Sequence, residues 1–183
     1  MKGTRFIEKP LSVMTEREWE AICMKCGKCC LYKESNGERV FFLNLVCDGL
    51  DTCSGKCSRY KTRICADCAK VDINLLQTQP ELLPETCAYR LLWDNKPLPD
   101  YHPLVSGNPN SVHEAGQTVL ELPHLISAKA FKERMNKIAE KNAREHWSTE
   151  KLSKVLDKAL AKEGLEIVES WPIPEKPIKK DAV

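Results

Sequence analysis

No cysteine follows Cys87, although about half of the 183 residues lie beyond it. Aromatic residues are scarce at 7%, and neither sign of charge accumulates: 28 Lys and Arg face 26 Asp and Glu, for a net charge of +2. So small a charge gives no electrostatic footing for nucleic acid or an anionic membrane. No apolar run approaches the roughly 18 residues that a membrane helix needs. Residues 1–10 carry charge without the apolar region of a signal peptide behind them. The expectation is a cytoplasmic protein with no membrane partner, in a compartment that disfavours structural disulfides. P-loop, G-x-G-x-x-G, H-E-x-x-H and nucleophile-elbow motifs are all missing, so hydrolase and nucleotide chemistry lack support.

What is present is sulfur, gathered. Cys23-Met24-Lys25-Cys26-Gly27-Lys28-Cys29-Cys30 is followed by Cys47, Cys53, Cys57, Cys65, Cys68 and Cys87. A disulfide framework belongs to short, secreted, core-poor chains, and adjacent Cys29 and Cys30 could join each other only with strain. Bound metal is therefore preferred to disulfides or isolated core thiols. Zinc takes four ligands from sulfur and imidazole, and Cys-x-x-Cys units supply two at a time. A Cys-x-x-Cys-x-x-Cys opening also begins iron–sulfur runs, which continue C-x3-C-P. Here the next cysteine comes immediately, so that pattern is broken and the choice between zinc and iron stays open.

Ten cysteines exceed two complete four-sulfur sites by two. Consecutive side chains point in different directions, so Cys29 and Cys30 are expected to serve different ions, or one of them to bridge. The candidate metal ligands are Cys23, Cys26, Cys29, Cys30, Cys47, Cys53, Cys57, Cys68 and Cys87, with Cys65, Asp67 and His102 left open. Asp67 reads more simply as a loop residue, and His102 as a surface or satisfied core histidine. Lys25, Lys28, Lys33, Lys56, Arg59, Lys61, Arg63 and Lys70 lie among or just beyond the thiols. With acids interspersed and aromatics sparse, they read as charge compensation rather than as a nucleic-acid surface.

Local signals give an α+β fold: a small, irregular cysteine-cluster domain with a β-hairpin and short helices, plus C-terminal helices. Thr15-Glu16-Arg17-Glu18 fits a capping box, opening a helix that carries Trp19, as a packing residue, and delivers the chain to Cys23. Gly27 suits the left-handed turn that a metal knuckle needs after its second thiolate. Asn36-Gly37 between strand-like runs marks a hairpin that returns Cys47 to the first cysteines. Residues 47–68 read as an irregular loop. A helix over 84–93, with Pro84 in its first turn, places Cys87 where a helix dipole favours thiolate. A strand is expected at Thr118–Leu122. Phe131, Met135, Ile138 and Asn142 stripe one helix, and Leu152, Val155, Leu156, Ala159 and Leu160 a second that stops at Gly164. The domain reading is 13–126 for the cysteine cluster, 127–164 for a helical hairpin and 165–183 for an extended or disordered tail.

Several runs carry a resemblance: Met14-Thr15, Trp19-Glu20, Cys23 to Leu31, Leu45-Val46-Cys47, Asp67-Cys68, Leu83-Pro84-x-Thr86-Cys87-Ala88-Tyr89-Arg90-Leu91-Leu92 and Leu98-Pro99-x-Tyr101-His102-Pro103-Leu104. They are similar to the bacterial YcgN family of the YkgJ-like CxxCxxCC cysteine-cluster proteins, described as zinc- or iron-chelating domains. The similarity spans residues 13–120. It implies a protein binding zinc or iron ions; a protein partner is a separate expectation. A related cluster in flagellin lysine methylases is associated with an iron–sulfur centre, which implies, as the alternative, an iron or iron–sulfur enzyme doing redox chemistry or modifying a protein. This sequence departs from the family pattern in three places. Cys-x-Cys becomes Cys53-Ser54-Gly55-Lys56-Cys57, Cys65 is additional, and Tyr101 replaces a tryptophan.

Overall fold

The computed structural model describes residues 5–59, 68, 70–122 and 124–173. Cys65 and Asp67 lie outside these, as does the chain from 174 onward. The fold is α+β. Helix α1, Glu16–Ile22, begins at the expected capping box: the Glu18 amide donates to Thr15 Oγ1, and the Thr15 amide donates to the Glu18 carboxylate. Trp19 stacks obliquely on Tyr89, with ring centroids 4.8 Å apart, and its indole N–H donates to the Val71 carbonyl. It is the packing residue the sequence indicates.

Lys9 also reaches Glu18, at 2.6 Å. That contact first, and the Thr15 amide second, hold the Glu18 carboxyl down at about 2. A depressed carboxylate contributes stability above its unfolded value of about 4.3 and loses it as pH falls through the folded value. The start of α1 should therefore loosen between about pH 4 and 2. Glu18→Gln should abolish that step, seen as the loss of an acid-limb inflection in the Thr15 and Glu18 amide shifts by NMR.

The hairpin forms as Asn36-Gly37 predicts. Strand β1, Leu31–Ser35, pairs antiparallel with β2, Arg39–Val46. Asn36 Oδ1 accepts from the Glu38 and Arg39 amides, and Gly37 takes φ 90°. Strand β2 alternates, burying Val40 and Phe42 before its last three residues are all buried. Full burial of a side chain such as Phe42 contributes about 1.5–3 kcal/mol.

Downstream come α2, Ile73–Thr78, with Asp72 as its cap; α3, Ala88–Trp93; α4, Pro103–Ser106; and α5, Ser111–Glu114. Helix α3 is shorter than the predicted 84–93. Pro84 is not in its first turn but in the turn before it, where its carbonyl accepts the Cys87 amide and Cys87 becomes the helix cap. The strand expected at Thr118–Leu122 is instead a 3₁₀ turn, Val119–Glu121. Val119 is fully buried and its amide donates to the Cys26 carbonyl, so a tertiary contact overrides the local β preference.

A two-residue strand β3, Ile126–Ser127, runs parallel to the end of β2 and leads into α6, Ala128–Glu145, then α7, Thr149–Glu163. In α6, Phe131, Met135, Ile138 and Asn142 are the half-buried positions, matching the predicted stripe. In α7 the stripe holds except at Leu160, which is exposed. Gly164 ends α7 at φ 64°.

Beyond it the chain does not trail off. Strand β4, Ile167–Pro172, pairs antiparallel with Arg39–Leu43 of β2, on the edge where β3 takes over at Leu45 and Val46. The boundary expected after 164 is thus crossed by sheet bonding. Buried Asn44 donates to the Gly164 carbonyl and accepts the Glu166 amide. Trp171 is buried against Phe42, with centroids 4.2 Å apart, and its indole N–H donates to the Glu81 carbonyl. Sequence composition concealed this strand because the proline-rich stretch begins inside it.

The core has two main parts. One gathers Ile22, Met24, Leu76, Leu83 and Tyr89 around α1, α2 and α3. The other gathers Leu31, Val40, Phe42, Val46, Leu50, Val119 and Trp171 on the sheet.

Candidate metal centre

The first core presents Cys23, where α1 ends. From there the chain coils through Lys25 at φ 58° and Gly27 at φ 73°, into a 3₁₀ turn over Lys28–Cys30. Gly27 is left-handed, as a metal knuckle requires, and its carbonyl accepts the Cys30 amide at 2.9 Å. The hairpin then returns the chain as predicted: the Cys47 amide donates to the Cys30 carbonyl at 2.9 Å.

The loop after Cys47 folds on itself. Leu50 pairs with Cys57 across an isolated bridge, and Asp51 exchanges backbone hydrogen bonds with Gly55 and Lys56. This turns Cys57 inward and leaves Cys53 at the exposed tip, where its amide donates to Asp51 Oδ1.

These segments enclose a pocket of about 830 Å³. Its lining includes Cys23, Cys26, Cys29, Cys30, Cys47, Cys57, Cys68 and Cys87, together with Met24, Leu31, Tyr32, Lys33, Leu83 and Tyr89. Eight of the nine predicted ligands therefore share one cavity, and Cys53 is not among them. None of the nine described cysteines is in a disulfide. Among the described residues, no three Cys, His, Asp or Glu side chains already meet at ion-binding geometry. The fold gathers the thiols at the scale of the pocket rather than of one ion.

Burial and crowding act together on three of these thiols. Burial, then the charges of Cys29, Cys87 and Cys23, pushes the Cys26 thiol well above its ordinary value. A hydrogen bond with Cys29, then burial, pushes Cys30 up, with Cys57 and Cys47 adding to it. Cys87 is pushed up to about 12, chiefly by burial. The Arg90 and Tyr89 amides pull it the other way, as a helix start should, but burial outweighs them. Burial also lowers the Lys33 ammonium, against the pull of Cys29, Cys30, Cys68 and Cys47. Lys33 donates to the Cys29 and Leu31 carbonyls and lies 4.9 Å from the centre of the Phe42 ring. Lys28 instead pairs with Glu169 of β4 at 2.5 Å. Sequence reading could not find Glu169, which lies 141 positions from its partner.

His102 is fully buried outside the pocket lining. Its Nδ1 accepts the Leu104 amide at 3.1 Å, so the proton sits on Nε2, which donates to the Ile22 carbonyl at 2.9 Å. Both ring nitrogens are committed, so of the surface and core readings the sequence allows, His102 is the satisfied core histidine. It braces the residue before Cys23. The apolar lining from Met24, Leu31 and Leu83 had no sequence signal of its own, since these read as ordinary core positions.

Fold and pocket together define an α+β protein with an open pocket lined by thiols from separate parts of the chain. No family model matches the sequence, and no solved structure matches it. It is 47% identical over 116 residues to a UPF0260 protein of Rhizorhabdus wittichii, covering 61% of this chain and 78% of that one. A UPF0260 protein of Vibrio atlanticus is 40% identical, covering 61% and 79%, and one of Haemophilus influenzae is 45% identical, covering 58% and 73%. The chain belongs to the UPF0260 family.

Because Cys53 stands apart, Cys53→Ser should leave metal content within error of the parent protein. Cys87→Ser should lower it clearly, both read by elemental analysis after anaerobic purification.

Proposed function

We propose that this protein binds more than one zinc or iron ion through clustered cysteine thiolates. The observation that carries this is the convergence of eight thiols, from separate parts of the chain, on one pocket. Soft thiolate donors suit zinc, iron and iron–sulfur cores. Cys23, Cys26, Cys29, Cys30, Cys47, Cys57, Cys68 and Cys87 would hold the metal, which would supply either structural cross-linking or electron transfer. Each thiol must lose a proton on ligation. Lys33 would offset part of the resulting negative charge, while His102 and the Lys28–Glu169 pair hold the loop that carries the first thiols. The YcgN resemblance and a cytoplasmic, reducing location accord with this role, as does a protein partner. The cysteine unit would span 13–126, with β4 adding the edge that carries Glu169.

A second reading is an iron–sulfur enzyme acting by redox chemistry or on a protein substrate. It is favoured by the pocket's volume, which is larger than an ion requires, and by its apolar walls of Met24, Leu31, Leu83 and Tyr89. The optical spectrum of anaerobically purified protein separates the two. Colourless protein that contains zinc supports the structural role, and brown protein with visible charge-transfer absorption supports the redox role. Protein with neither metal overturns both.

A further inference from the structure

We infer that the hairpin of α6 and α7 is a docking face for double-stranded DNA, holding the phosphates of the two strands with two rows of basic side chains. The net charge of +2 hides an uneven distribution. Residues 128–163 carry ten Lys and Arg against six Asp and Glu, and the rest of the chain 18 against 20.

On α6 the row is Arg134, Lys137, Lys141 and Arg144, and on α7 it is Lys151, Lys154, Lys158 and Lys162; all eight are exposed. Spacings of three and four keep each row on one helix face. No acid interrupts either row, whereas a face that is merely solvated commonly interleaves both signs.

The helices run antiparallel: Arg134 pairs with Glu163 at the end of α7, and Glu145 at the end of α6 meets Lys151 at 3.7 Å. Each row lies about a third of a turn from the half-buried stripe of its own helix, in the same rotational sense. With the stripes inward and the helices opposed, both rows turn toward one face. The contacts agree: Lys141 and Lys151, one from each row, stand over the same Trp147 ring, at 5.8 and 4.7 Å from its centre. Three carboxylates reach the rows: Glu163 at Arg134, Glu145 at Lys141 and Lys151, and Glu150 at Lys154. The eight cations therefore keep a surplus of five. Among the described residues, no ion pair reaches Lys137, Arg144, Lys158 or Lys162.

The chemistry of the face selects the partner. Protein interfaces are anchored by buried aromatic and aliphatic side chains and are poor in lysine. Leu160, a large apolar side chain exposed on α7, stands two residues from both Lys158 and Lys162 and so faces away from the row. A helix lying on a bilayer needs the same apolar anchor, but a phosphate backbone asks only for cations. Packed helices lie about 8–10 Å apart. That separation suits the strands flanking the minor groove of B-DNA, about 6 Å wide, better than the wide minor groove of duplex RNA. Each row runs about 15 Å along its helix, a length over which one strand presents about four phosphates.

The test titrates the native holoprotein, purified anaerobically, into a fluorescein-labelled DNA duplex of arbitrary sequence and reads anisotropy between about 50 and 200 mM salt. Five surplus cations give an expected log–log slope of about −4.5, an affinity about 500-fold weaker at the higher salt. Lys137→Gln and Lys158→Gln, one from each row, should each reduce the slope by about 1. The double variant Lys137→Glu with Lys158→Glu should weaken binding about 100-fold at the lower salt, with circular dichroism and metal content unchanged. Arg17→Gln, which removes an exposed cation from α1, should alter neither affinity nor slope. Absence of duplex binding at the lower salt, or equal effects from Arg17, Lys137 and Lys158, would overturn the inference. So would tighter binding to single-stranded DNA, duplex RNA, polyglutamate or phosphatidylserine vesicles.

Discussion

Stripping bound metal with a strong chelator is expected to unravel residues 23–87 while α6 and α7 persist. The thiol-bearing segments contain little regular structure: two strands, short helices and the self-closed loop after Cys47. A long irregular loop is ordered only when something other than apolar burial fixes its backbone. Binding free energies for structural zinc run to about 10–16 kcal/mol in small peptides, comparable to the whole stability of a domain at about 5–15 kcal/mol. Losing that contribution should leave the Cys23–Cys30 coil and the loop from Cys47 without an anchor. The C-terminal helices have side-chain caps of their own at Ser127 and Ser148 and need no metal to form. Hydrogen exchange should therefore rise sharply across 23–59 and around Cys87, and remain low in α6 and α7. An unchanged exchange map after complete chelation would contradict the account.

Gly27→Ala should be among the most damaging substitutions in the chain. An added Cβ would stand 2.6 Å from Val119 Cγ1 and 3.2 Å from the Gly55 carbonyl oxygen. Val119 has no room to retreat, because it is fully buried and its amide is bonded to Cys26. A left-handed alanine costs about 1–2 kcal/mol, and forcing extra volume into a packed site about 1–3 kcal/mol more. Gly37→Ala is the control. Gly37 also has positive φ, but nothing lies within 4 Å of its added Cβ, so the backbone cost alone should appear. Urea unfolding of the two holoproteins would show the difference. Equal midpoints would mean that the Gly27 turn yields more easily than its contacts imply.

Much of the architecture was legible in the sequence because the signals were local. The capping box at Thr15, the Asn36-Gly37 turn, the left-handed Gly27 and the stripe of α6 each depend on a few neighbouring residues, and each forms as expected. The errors share one cause: the deciding contact lies far along the chain. Val119 turns rather than extends because of Cys26, and β4 forms because Asn44 and Phe42 offer it bonding and an aromatic surface. The site divides similarly. Spacing alone marked the thiols, but it could not exclude Cys53 from the pocket, since a Cys-x3-Cys pair says nothing of which member a tight turn projects outward. Nor could it show that burial at Cys87 outweighs the helix end.

Iron and zinc quantified per chain, on protein purified anaerobically from unsupplemented cells, test the central claim most directly. The account predicts more than one metal equivalent per chain, lost on chelation together with the protection of residues 23–87. Protein that is folded and soluble with no stoichiometric iron or zinc would contradict it.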